Sequence, residues 1–210
     1  MKKYLVIGNP IEHSMSPQLH NYWIKKNNLS ATYEKEKLTA EGLKNLIFKI
    51  REKEIHGINV TVPFKKEIIS YTDNLTPEAE KTKSVNTIFL NKNKIIGHNT
   101  DIEGFERSIY DCQFDITNKE ILILGAGGVV PSIVLALNKM KASKIMISNR
   151  TKDKAEELKD LFEKLTILNW GDIPNFDMII NATSVGLKNS DEIGLDFSKI
   201  NKNKFFYDVI

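Results

Sequence analysis

Glu120-Ile121-Leu122-Ile123-Leu124-Gly125-Ala126-Gly127-Gly128-Val129-Val130 is the stretch on which the fold turns. Four consecutive apolar residues make a buried strand, glycines follow at once, and an apolar helical pattern begins directly after them. This is the pattern of a dinucleotide-binding crossover. Glycines at 125 and 127 let the backbone turn tightly and approach a pyrophosphate at the free N–H groups of a helix N-terminus, and Gly128 adds further backbone freedom. An ordinary strand-to-helix turn has the same local form, so the loop alone leaves both readings open. Val130 stands where a G-x-G-x-x-G pattern carries its third small residue, which predicts slightly wider helix–strand packing. Pro131 fits the first helical turn, where its missing N–H has no partner.

The next strand ends at Ser148-Asn149-Arg150-Thr151, and Asn149 is 24 positions beyond Gly125. A site for NAD places an acidic residue there against the ribose 2′-hydroxyl. No acid is present. Arg150 offers a guanidinium fork, Thr151 a hydroxyl and Lys154 a second positive charge, a set suited to a 2′-phosphate and hence to NADP(H). The alternative is a helix N-cap carrying a solvated arginine. Farther on, Asn181-Ala182-Thr183-Ser184-Val185-Gly186 leaves an apolar strand as a second cofactor-facing loop, although its hydroxyls suit a turn cap equally well.

Outward from this centre, short strands rich in β-branched and aromatic residues alternate with helical patterns along all 210 residues, which predicts an α/β fold. Strands are expected near 2–7, 32–38, 57–62, 86–90, 94–99, 120–125, 144–149, 177–182 and 204–209. Helices are expected near 17–28, 40–53, 65–71, 77–83, 102–112, 129–141 and 152–164. Ser16-Pro17 and Thr76-Pro77 read as N-caps with proline at the first helical position. Asn91-Lys92-Asn93 reads as a hairpin turn, which mixes an antiparallel pair into the first sheet. Two domains follow, 1–101 and 102–210.

Four polar clusters in the first domain fall at strand ends, where open α/β sheets collect ligand groups. They are Ser14-Met15-Ser16, Asn59-Val60-Thr61 with Lys65 beyond it, Ser84-Val85-Asn86-Thr87, and Gly97-His98-Asn99-Thr100-Asp101. Asn59 and Thr61, at period two, keep one strand face polar while Val60 and Val62 point to the other. Lys65 opens a helical pattern, an uncomfortable place for a cation, which favours proton transfer. Asp101 is a helix cap or an acid–base group. The four histidines have no metal-ligand spacing, and His98 alone sits among the polar clusters.

Composition narrows the class. No apolar run approaches the ~18 to 20 residues that span a bilayer, and the amino terminus lacks a signal-peptide core; a cytoplasmic location is expected. Thirty basic and 27 acidic residues give a net charge of +3, scattered rather than clustered, which points away from nucleic acid and membranes as partners. Cys112 is the single cysteine, expected to be semi-buried and structural, so an internal disulfide is excluded.

Taken together, GNPIEHSMSPQLHN, GINVTVPFK, SVNTI, GHNTDIEG, GAGG, NRT, NATSVG and YD, in that order and spacing, resemble the shikimate dehydrogenase family over the whole chain. The resemblance implies an N-terminal mixed α/β substrate domain followed by a Rossmann-type doubly wound NADP-binding domain. It implies reversible reduction of 3-dehydroshikimate to shikimate by NADPH, in a monomer or homodimer. Ser14 and Ser16 would hold the substrate carboxylate, while Asn59, Thr61, Asn86 and Asp101 would meet ring oxygens. Lys65 and Asp101 would form the acid–base pair, Lys65 also touching substrate. Cofactor contacts would come from Gly125, Ala126, Gly127, Gly128, Val129, Asn149, Arg150, Thr151, Lys154, Thr183 and Ser184. A quinate/shikimate dehydrogenase, a folate-type or amino-acid dehydrogenase-like enzyme and a non-catalytic binding protein are the alternatives. The family's glycine loop continues with smaller residues than Val129-Val130-Pro131. The chain stops within the buried-strand pattern 205–210, so a truncated form with weak or no activity is expected.

Overall fold

Strand β1 (Lys2–Gly8) sets the layering of the amino-terminal part by alternation. Leu5 and Ile7 point into one layer, where they meet Ile58 and Val60 and the buried face of helix α2 (Ala40–Arg51), formed by Leu43, Leu46, Ile47 and Ile50. Val6 points the other way, into a smaller cluster with Ile11, Tyr33 and Ile24 of helix α1 (Ser16–Lys26). Each such side chain, taken fully out of water, contributes roughly 1.5–3 kcal/mol. The computed structural model describes residues 1–186, 192–198, 200–201 and 203–209, and its chain divides into two units, Met1–Thr100 and Asp101–Ile210.

The first unit continues with β2 (Ala31–Lys37), β3 (Gly57–Val60), β4 (Asn74–Leu75), helix α3 (Pro77–Thr82), β5 (Thr87–Asn91) and β6 (Lys94–His98). They form a six-stranded sheet of order β2-β1-β3-β5-β6-β4, in which β5 runs antiparallel to both neighbours. The β5–β6 connection is a two-residue turn with Lys92 and Asn93 both at positive φ, the hairpin expected from the sequence. Thr76 caps α3 through its side chain, also as expected.

Two local expectations are corrected. Ser16 does not cap α1: the helix starts at Ser16 itself, and the Ser14 hydroxyl accepts the Ser16 N–H at 3.3 Å. The pattern at 65–71 is a run of turns leading into a five-residue 3-10 helix, Glu67–Tyr71, so the dipole argument made for Lys65 loses most of its force.

The second unit holds α4 (Asp101–Asp111), β7 (Glu120–Leu124), α5 (Val130–Lys139), β8 (Lys144–Ser148), α6 (Lys152–Glu156), β9 (Leu165–Leu168), β10 (Met178–Asn181) and β11 (Phe205–Asp208). All five strands are parallel, in the order β11-β10-β7-β8-β9. A parallel sheet is buried on both faces, which is why β7 reads as an unbroken apolar run. Ile121 and Ile123 join the layer of Ile133, Val134 and Leu137, whereas Leu122 and Leu124 join Met146, Phe176 and Ile179. Val130 is fully buried in the first of these layers.

Here too the sequence reading needs correction. The helix expected over 152–164 is a short α-helix that tightens into a 3-10 turn at Glu157–Asp160, and β4 and β9 were not foreseen. Cys112 is exposed, just beyond the last residue of α4, and is not the semi-buried residue expected.

Candidate active site

Consecutive strands in the second unit change direction of travel across the sheet between β7 and β10, and ligands of such sheets bind where the strands end at that switch point. There Gly125 adopts φ +106, and a Cβ built on it would lie 2.7 Å from the Ala182 carbonyl oxygen. Only glycine allows the two loops to approach so closely. Gly127 and Gly128 are different: a Cβ on Gly127 meets nothing nearer than 3.8 Å, and on Gly128 nothing within 4 Å. The chain's own packing therefore leaves their glycine identity unexplained.

A cavity of about 530 Å³ opens over this switch point. It gathers Gly125, Ala126 and Gly127 from the turn, Asn149, Arg150, Thr151 and Lys154 from the end of β8, and Thr183 and Ser184 from the end of β10. Of the cofactor residues expected from the sequence, Gly128 and Val129 do not line it, because they lead into the helix whose next residue, Val130, turns to the core. Thr151 precedes α6 without a side-chain cap, so its hydroxyl is not spent on the bland role considered for it. Thr183 is otherwise: its hydroxyl donates to Asn181 Oδ1 at 2.7 Å and accepts the Val185 N–H at 3.0 Å, organising the turn.

Trp170, Glu192 and Ile193 also line the cavity and were missed by sequence reasoning. For Trp170 a signal existed: an aromatic residue just before Gly171, shortly after a strand end. A larger concavity of about 650 Å³ lies around Tyr110, Phe114 and Met140, by the amino ends of the strands, and carries no comparable set of cationic and loop groups.

In the first unit two of the expected polar residues, Asn59 and Asn86, come together along adjacent strands. Val60 is buried on the α2 side of the sheet, and Asn59 lies on the other face, as alternation required. Asn59 Oδ1 accepts the Tyr33 hydroxyl at 2.6 Å, and its Nδ2 donates to Thr87 Oγ1 at 3.2 Å. Thr87 donates in turn to Asn86 Oδ1 at 2.9 Å. Asn86, buried, also accepts the Thr100 N–H at 3.0 Å and donates through Nδ2 to Thr100 Oγ1 at 2.9 Å. Lys65 is held by its backbone, since its carbonyl accepts the Val85 N–H at 2.8 Å, between buried Phe64 and buried Ile68.

Thr61 extends this edge, with its N–H on the Ile7 carbonyl. Ser14 and Ser16 stand at the start of α1, which packs against β2. Asp101 is the residue after Thr100 and opens α4. His98, by contrast, bonds Thr76 at the start of α3, and Asn99 is a buried strut on Thr82 Oγ1 and the Ser84 carbonyl.

A doubly wound parallel sheet with a glycine turn and a cationic loop at its switch point, joined to a unit carrying an ordered set of amides and hydroxyls, defines a two-domain dinucleotide-dependent oxidoreductase. Comparison with known proteins makes the class specific. The model of the shikimate dehydrogenase substrate binding domain matches residues 6–88, and that of shikimate/quinate 5-dehydrogenase matches residues 108–190. Shikimate dehydrogenase (NADP(+)) of Pelagibacter ubique is 58% identical over 209 residues, covering 100% of this chain and 79% of the relative. The crystal structure of the Aquifex aeolicus shikimate dehydrogenase superposes with a TM-score of 0.93 at 38% identity, over 100% of this chain and 79% of that one. The Thermus thermophilus shikimate 5-dehydrogenase, solved in complex with NADP(H) and shikimate, gives 0.89 at 27% identity, over 99% and 78%. The chain belongs to the shikimate dehydrogenase family.

Proposed function

We propose that this chain catalyses the reversible reduction of 3-dehydroshikimate to shikimate with NADPH. The observation that carries the reading is the cavity at the switch point, where the glycine turn meets Arg150, Thr151 and Lys154 and where Ser148-Asn149-Arg150 offers no carboxylate at the end of β8. These residues fit the cofactor: Gly127, where an added Cβ would meet nothing nearer than 3.8 Å, leaves space for a pyrophosphate, and the guanidinium fork and ammonium match a 2′-phosphate. The names of the relatives support the substrate, and the description shikimate/quinate 5-dehydrogenase keeps quinate as a second one to be tested.

When bound, NADPH supplies the hydride that reduces the ring ketone. The chain's residues do the rest. The Lys65 ammonium donates a hydrogen bond to the ketone oxygen and supplies its proton as the alkoxide forms; in the reverse direction it accepts that proton. Asp101, as a carboxylate, is the second member of the acid–base pair and orients the reacting hydroxyl. Ser14 and Ser16 hold the substrate carboxylate by their hydroxyls, and Thr61, Asn59 and Asn86 bind the remaining oxygens of the ring. The protein works in the cytoplasm, as a monomer or homodimer, drawing on the NADPH pool; no helix among the described residues is long and apolar enough to cross a membrane.

The test is consumption of NADPH, followed by its absorbance, with 3-dehydroshikimate as substrate and with shikimate or quinate plus NADP⁺ in reverse. Turnover with shikimate exceeding that with quinate is expected. Absence of turnover with every pair, together with no heat of shikimate binding by calorimetry, defeats the reading.

The glycine turn gives a paired expectation. Gly125→Ala forces a side chain onto a backbone at positive φ against the Ala182 carbonyl, and should destabilise the second unit by about 2 kcal/mol or more. Gly127→Ala meets nothing nearer than 3.8 Å and should leave the melting temperature unchanged while weakening NADP⁺ binding. Thermal melts and NADP⁺ titrations of both variants measure this; a wild-type melting temperature for Gly125→Ala contradicts it.

A further inference from the structure

We propose that Tyr33 and Thr87 are positioning residues for the substrate amides, acting through a directional hydrogen-bond relay that runs from Thr100 to Tyr33. The proposal rests on the substrate reading above and names residues to which that reading assigns no role. Its direction follows from one unambiguous donor. The Thr100 backbone N–H can only donate, so the atom it meets on Asn86 is the amide oxygen. That oxygen can only accept, so the Thr87 hydroxyl proton points to it. With its proton committed, Thr87 Oγ1 accepts from Asn59, which turns the Asn59 nitrogen toward Thr87 and its oxygen toward Tyr33. The Tyr33 hydroxyl then donates to Asn59 Oδ1 and closes the relay. Both amide orientations are fixed by the chain before any ligand arrives.

Tyr33 is built to stay in place. It is 5% exposed and lies on edge strand β2, where its own N–H and carbonyl would otherwise lack a neighbouring strand. The side chain of Asn21 on α1 supplies one: Asn21 Oδ1 accepts the Tyr33 N–H at 3.0 Å, and Nδ2 donates to its carbonyl at 2.7 Å. The His20 ring stacks on the phenol, with centroids 4.1 Å apart and planes 6° from parallel. From there the phenol passes over Val6 of β1 to reach Asn59 on β3, which Val6 faces in register. Burial also holds the phenol proton well above its usual range, so Tyr33 remains a donor throughout the working pH range.

Pre-orienting an amide removes the cost of ordering it when substrate binds and excludes the flipped arrangement, which would present oxygen where a donor is needed. Tyr33→Phe keeps the ring and its packing and deletes only the donor. It should raise the KM and Kd for shikimate about tenfold while leaving the Kd for NADP⁺ and the fold, read by circular dichroism, unchanged. In an Asn59→Ala background the same substitution should cost nothing further, because Tyr33 acts through that amide. Thr87→Val should reproduce the loss from the other side of the relay and Thr87→Ser should restore binding, which keeps the test open if Tyr33→Phe folds poorly. Wild-type shikimate affinity in both Tyr33→Phe and Thr87→Val, or fully additive losses in the double variant, overturns the relay alone. Failure of the wild-type chain to bind shikimate overturns the substrate reading and the relay with it.

Discussion

Lys65→Ala should lower turnover by roughly a hundred- to ten-thousandfold, the range by which a positioned general acid–base group accelerates a reaction. The backbone of Lys65 is anchored for such a role: buried Phe64 and Ile68 flank it, and its carbonyl holds the residue preceding Asn86. Lys66, next in the chain, is exposed and provides the control. Lys66→Ala should retain wild-type kcat, so a loss specific to position 65 cannot be charged to a general change in surface potential. Asp101→Asn should fall into the same range, and the double variant should be little worse than the poorer single one, because both residues are proposed to serve the same proton transfer. NADP⁺ affinity should be untouched in all of them. A kcat for Lys65→Ala equal to that of the wild type would remove the residue from the mechanism.

Arg150→Ala should raise the Kd for NADP⁺ by roughly ten- to a hundredfold and leave that for NAD⁺ where it is, since the two cofactors differ only by the phosphate that the guanidinium is proposed to clasp. Arg150 lines the switch-point cavity together with Lys154 and Trp170. It is solvent-exposed, so its contribution should weaken as ionic strength rises, and the wild-type preference for NADP⁺ should narrow in high salt. Lys154→Ala should produce the same change on a smaller scale, because an ammonium binds phosphate as a point charge without the bidentate geometry. Equal losses for NADP⁺ and NAD⁺ would place Arg150 on a part of the cofactor common to both. No loss for either would leave it a solvated residue at the start of α6.

The legible parts of this protein are those written in local pattern. A strand buried on both faces is an uninterrupted apolar run, so β7 could be read directly, and the glycine turn after it was equally plain. The Lys92-Asn93 turn and the Thr76 cap were legible because their residue types carry the required backbone preferences. The pattern over 152–164 misled for a specific reason. Ala155 and Leu158, its buried residues, are three apart, a spacing that an α-helix and a 3-10 turn satisfy alike. Strand β9, Leu165-Thr166-Ile167-Leu168, lies directly beyond that pattern, and its pairing with β8 is what makes it a strand.

By itself, then, the sequence determined the alternation of strands and helices, the turn at Gly125, and the choice of Asn-Arg-Thr over an acid after β8, because each depends only on neighbours along the chain. Tertiary structure decided what depends on distance through space. It made Gly125 obligatory by bringing the Ala182 carbonyl within 2.7 Å of where a Cβ would stand. It also separated Asn86, linked to Asn59 through Thr87, from Asn99, a buried strut, although the two are the same residue type in equally polar motifs. Only the pairing of strands far apart in sequence brings Tyr33, Asn59, Thr87 and Thr100 into one line of hydrogen bonds, and no local pattern encodes that register.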